Sequence, residues 1–235
     1  MSHDDLLEQV SRLRGEGKSP KQIARALSVA PSVIAPLVRA VAAEAKTTED
    51  APAVVGCWVN AGWSTGLGVD PSRGWVDEAP AAGSLGGLVG ILVARRHRHD
   101  RVSVCGYLVD VYCLGVKNAL GPMVMTDVEL SRFRSHYFDG FGSGWQDAPI
   151  ELAADLVFGG VEYARRLGFE PHPDLAPAVG HLGPWEAPAA ITFGHDGKPF
   201  YMSGPYDNPR KVMKTLERNL GSSDAFDFTV GAVSP

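Results

Sequence analysis

The stretch Gly106-Tyr107-Leu108-Val109-Asp110-Val111-Tyr112-Cys113-Leu114-Gly115-Val116-Lys117-Asn118 writes a carboxylate, a thiol and a lysine into an otherwise apolar β pattern. Burying such groups without partners costs on the order of several kcal/mol, so the fold must satisfy, expose or use each of them. Alternation predicts a strand over 102–113, with Asp110 on the face of Leu108 and Tyr112 and opposite Val109, Val111 and Cys113. Lys117 follows Gly115 and has left that strand. A buried Asp110–Lys117 pair would satisfy both charges at once.

Working outward, Val54–Asn60 and Leu88–Arg96 read as further strands, the second joined to 102–113 by a turn containing Arg96-His97-Arg98-His99-Asp100. Residues 61–84, rich in Gly, Pro, Ser and Trp, read as an irregular loop. Thr126 with Glu129 three residues on spells a capping box, and a helix should run to Tyr137. A longer helix is expected from Pro149 to Leu167. Its apolar positions Ile150, Ala153, Val157, Val161 and Ala164 recur at helical spacing and place Gly160 on the buried side, while Gly168 ends it. Ile191–Phe193 and Phe200–Met202 flank His195-Asp196-Gly197 as a hairpin; Asn208-Pro209 starts a last helix that Gly221 ends, and Phe226–Val230 is a last strand.

Residues 1–45 differ. Leu6, Leu7, Val10 and Leu13 share one helical face, Gly17 stops that helix and Ser19 caps the next, which gives three short helices in all. Residues 46–52 are polar and aperiodic and read as a linker to a unit spanning 53–235. The expected fold class is α+β: an N-terminal helix-turn-helix-like module, then a largely antiparallel sheet covered by helices on one face.

The chain has 235 residues, 45% hydrophobic and 21% charged, enough to bury a sizeable core. Its net charge of −5 excludes a surface coated in positive potential and leaves only local basic patches. Three cysteines, Cys57, Cys105 and Cys113, lack paired metal-ligand spacing and follow no secretory leader, so reduced thiols and a cytoplasmic setting are expected. The longest apolar run, Leu85–Ala94, holds three glycines and is about half the length a bilayer requires, so no membrane partner is expected.

The spacing of Gly17, Ser19, Ile23, Ala24, Leu27, Val29 and Val33 resembles the helix-turn-helix of sigma-factor-like and resolvase-like DNA-binding domains. The resemblance implies a second helix that reads base edges, yet in Ala30–Pro36 only Ser32 can hydrogen-bond, and Arg39 is the one basic residue of that helix. Lys18, Lys21 and Arg25 would touch phosphates from the preceding turn and helix. DNA and a protein partner are both open to such a module. Three further phrases, Leu108–Asn118, Gly160–Asp174 and Phe193–Pro205, together resemble a family of uncharacterised bacterial proteins, a resemblance that implies a domain boundary and no chemistry.

Two functional classes compete. In the first, the chain is a nucleic-acid-associated or regulatory binding protein: the front module docks and the larger unit recognises a second partner. Arg95, Arg96 and Arg98 at the basic hairpin, with Trp58, Trp63 and Trp75, would offer RNA or single-stranded nucleic acid a charged aromatic surface; the same run also reads as a solvated turn. This class needs no cofactor. In the second, a metal-dependent hydrolase or nuclease, Asp110, His172 and Asp174 hold a divalent metal, Glu162 supplies a further ligand or base, and Lys117 contacts a phosphate. Cys113 with His172 as base is a third catalytic arrangement. Against these, Glu162 lies four residues before Arg166 and seven after Asp155, the spacing of a solvated helix face, and His172 between two prolines is placed to hold a turn.

Overall fold

The computed structural model describes residues 6, 9–10, 12–13, 18–27, 29–30, 33–34, 36–38, 52–79 and 86–229. The chain divides into two units, Met1–Ala51 and Pro52–Pro235. In the first, Ser19 precedes helix α1 (Pro20–Ala26) and exchanges bonds with Gln22 in a capping box. Leu6, Val10, Leu13, Ile23, Ala24, Ile34, Leu37 and Val38 form a separate apolar cluster. The stop at Gly17, residues 46–51 of the linker, Ser32 and Arg39 lie outside the described residues.

The second unit is α+β. Strands β1 (Val54–Asn60), β3 (Leu88–Arg96), β4 (Val102–Asp110), β5 (Gly115–Met125) and β6 (Trp145–Asp147) form one antiparallel sheet in the order β5-β4-β3-β1-β6, and β2 (Gly68–Val69) lies outside it. All but the two end residues of β3 are buried. A strand buried on both faces reads as a continuous apolar run, and here both faces are covered, where the sequence suggested one. Cys57, Val59, Ile91, Val93, Cys105 and Tyr107 pack under helix α3 (Ile150–Ala154), a π-helical turn (Asp155–Gly159), α4 (Gly160–Arg166) and α5 (Leu175–Ala178). The alternate residues Trp58, Leu92, Ala94, Val102 and Val104 pack against Leu130 and Phe138 of α2 (Asp127–Phe138). Thr126 and Glu129 cap α2 reciprocally, as their spacing predicts.

Two expectations are corrected. Residues 102–113 do not form one strand: β4 stops at Asp110, the chain turns, and β5 begins at Gly115, whose φ of 68° is open to glycine at little cost. The expected hairpin around His195-Asp196-Gly197 is a turn with a single bridge, His195 to Lys198. Its flanks part. β7 (Ile191–Thr192) pairs antiparallel with β2, and β8 (Phe200–Met202) pairs parallel with the last strand, β9 (Asp227–Thr229). Between them in sequence, α6 (Pro209–Leu220) is capped by the Asn208 side chain and ended by Gly221 at φ 78°.

Candidate ligand cleft

The turn after β4 is built by Asp110. Its Oδ1 accepts the amides of Tyr112 (3.0 Å) and Cys113 (2.9 Å), the behaviour of an aspartate that nucleates a turn. The carboxyl is pushed up to about 6 by burial, an effect opposed by the Cys113 amide and the Lys117 charge. Asp110 is thus satisfied by its own turn.

That turn is the meeting point of the three sequence phrases. The Val111 carbonyl accepts from the Gly194 amide at 3.0 Å, and the Tyr112 carbonyl from the Phe200 amide at 3.1 Å and the Tyr163 hydroxyl at 3.3 Å. One strand further, the Val116 carbonyl accepts the His172 amide at 3.0 Å. Gly115 and Gly160 make the approach of α4 feasible: a Cβ on Gly115 would meet the Ala164 Cβ and the Gly160 carbonyl.

Cys113 points into an apolar cluster with Leu167, Tyr201, Val212, Leu216 and Phe226 and is fully buried. Burial pushes its thiol well up, with the Asp110 charge adding to the effect, so the group stays protonated. A buried neutral thiol is a small hydrophobe. Lys117 pairs not with Asp110 but with Asp207, its Nζ standing 2.9 Å from both carboxylate oxygens, and Asp207 Oδ2 also accepts the Gly204 amide at 2.8 Å. The side chains retain 21% and 12% exposure, so the pair sits at the wall of a cavity rather than in solvent.

That cavity is an open cleft of about 470 Å³. Leu114, Val116 and Lys117 line one side, Phe169 and His172 another, and Asp207, Lys211 and Val212 a third. The walls are therefore mixed, with polar and charged side chains, among them Glu170, Asn208 and Thr215, about as prominent as apolar ones. His172 Nδ1 accepts the Asp174 amide at 3.3 Å and lies 3.5 Å from Asp174 Oδ2, so both residues shape the loop after α4.

Of the proposed catalytic and metal-binding residues, Lys117 and His172 share the cleft, while Asp110 and Cys113 belong to the turn. Glu162 lies on the exposed side of α4 and lines a different groove with Arg166. Among the described residues no group of three or more His, Cys, Asp or Glu side chains could hold a metal ion. The donor set Asp110, His172 and Asp174 does not assemble. Asp155 is corrected too. It is buried, accepting the Trp185 Nε1 and the Ala190 amide at 2.6 Å each, because the π turn that begins at Asp155 breaks the seven-residue phase linking it to Glu162.

Among the nucleic-acid candidates, Lys21 and Arg25 are exposed on α1 and Lys18 is half-buried. Arg96 and Arg98 are exposed at the hairpin, but Arg95 is buried, its guanidinium held by the carbonyls of His181 (2.7 Å) and Pro52 (2.8 Å). Trp58 and Trp63 lie in the core and offer no stacking face. Sequence reasoning missed Asp207, the partner of Lys117; its one local signal is the Asp207-Asn208-Pro209 run that leads into α6. No helix among the described residues is long and apolar enough to cross a membrane. Comparisons with family models, with curated proteins and with solved structures gave no match.

Proposed function

We propose that the chain is a two-part regulatory binding protein associated with nucleic acid, in which the N-terminal helical unit docks on DNA and the α+β unit recognises a second partner. The observation that carries the second half is the cleft walled by Lys117 and Asp207: Lys117 is committed to its ion pair there, while Asp110 and Cys113 are committed to the turn that leads into β5. Groups committed to structure suit recognition better than turnover. The hydrolase alternative lacks such support, since its carboxylates and imidazole are spread over a turn, a helix face and a loop. The first half rests on the capped helix α1, which shows Lys21 and Arg25 to solvent above its own apolar cluster.

Fluorescence anisotropy of the full chain with a mixed-sequence DNA duplex tests the docking step. Affinity should fall steeply with salt, and Lys21→Ala and Arg25→Ala should each reduce the slope of log K against log salt by about 1. Absence of binding, or slopes untouched by both substitutions, would remove DNA as the partner.

A further inference from the structure

A second groove, sharing no residue with the Lys117 cleft, lies beside the edge strand β6. It has a volume of about 600 Å³ and continues past Arg73, Trp75 and Glu151 into a smaller hollow of about 170 Å³ walled by Trp185. Its shape is held from beneath. The buried Gln146 amide clamps residues 76–78, donating to the Val76 carbonyl and accepting from the Glu78 amide at 2.8 Å each. Trp185 is fixed by its bond to Asp155 and by stacking on Phe158 with ring centroids 5.6 Å apart.

Charge is unevenly placed on this scaffold. Glu78, Asp147 and Glu151 face the larger hollow and Glu186 the smaller, and among the described residues none of the four has an ion-pair partner. Among the described residues the only cation in the lining is Arg73, whose guanidinium lies over the Trp75 ring at 5.6 Å from its centroid. The chain thus already places one guanidinium on an aromatic face in this groove, and the surrounding carboxylates exceed what that single cation can neutralise. Aromatic faces attract cations through the ring quadrupole, and a concave surface of one sign concentrates the opposite charge.

We propose that this groove binds a basic peptide, seating an arginine guanidinium between the carboxylates and the tryptophan walls. The inference goes beyond the DNA-docking reading and needs neither the N-terminal unit nor the Lys117 cleft. Recognition is fork-like: a guanidinium can bond a carboxylate with two N–H groups while its plane packs on indole.

The test is calorimetric titration of the full chain with an acetylated, amidated hexa-arginine peptide at moderate salt. Asp147→Asn with Glu151→Gln, both exposed and so compatible with folding, should weaken binding about tenfold or more. The equally charge-reducing pair Glu217→Gln with Asp224→Asn, which lies outside the groove, should leave it within about twofold. No binding by the unaltered chain, or equal losses in the two double variants, would overturn the proposal, the latter because attraction would then follow net charge alone. Equal affinity for hexa-lysine or for spermine would also overturn it, since neither carries the planar fork.

Discussion

Asp110 decides where β4 ends, and the sequence conceals this because apolar alternation continues on both sides of the turn it makes. The legible clue was an aspartate followed five residues later by glycine, a turn nucleus and a positive-φ residue in succession. Its environment carries a stability consequence. With the carboxyl raised from 3.8 to about 6, the folded chain binds a proton that the unfolded chain has already released between those values. The stabilising contribution is complete below the unfolded value and is lost as pH rises through about 6. Asp110→Asn keeps an oxygen for the two amides and removes the charge, so above about pH 7 it should equal or exceed the parent in stability, by up to about 3 kcal/mol. Denaturant unfolding across pH should show that difference closing on acidification; a gap that widens toward acid would contradict it.

At the scale of elements, the strands and helices with strong periodicity were legible and the irregular ones were not. Val54–Asn60, Leu88–Arg96 and the capped helix α2 lie where the sequence puts them. β5 escaped because Gly121 and Pro122 interrupt it, which an edge strand tolerates and a central one does not. The hairpin at 191–202 failed for a related reason. Turn chemistry fixes a reversal, but the partners of β7 and β8 lie more than a hundred residues upstream of the one and 25 residues downstream of the other, where local pattern has no reach. The Lys117–Asp207 pair joins β5 to the approach of α6 across the cleft. Lys117→Met leaves the Asp207 charge without its ion-pair partner and should cost about 2 kcal/mol, a value reduced from that of a fully buried pair by the residual exposure. Adding Asp207→Asn should recover at least half of the loss, measured by chemical unfolding of all four members of the cycle. Additive losses would mean that the pair contributes nothing jointly.

For the whole molecule, the division into a front unit and an α+β unit followed from a change of hydrophobic period, whereas the clefts could not, because their walls are drawn from segments far apart in sequence. The cluster around Cys113 shows how far apart. It is closed by Phe226, beside a strand that pairs with Phe200–Met202. A chain ending at Gly221 should therefore keep its main sheet but lose protection of that thiol, with maleimide labelling of Cys113 rising roughly tenfold or more under native conditions. Unchanged labelling would show that Phe226 is not needed to shield it.

This arrangement also sets an order of events during synthesis. The turn at residues 110–115 leaves the ribosome more than a hundred residues before the segment that covers its thiol side, so every nascent chain passes through an interval with an unroofed apolar hollow. Until residues 222–229 arrive and dock, that hollow is a place where chaperones or oxidants would find purchase.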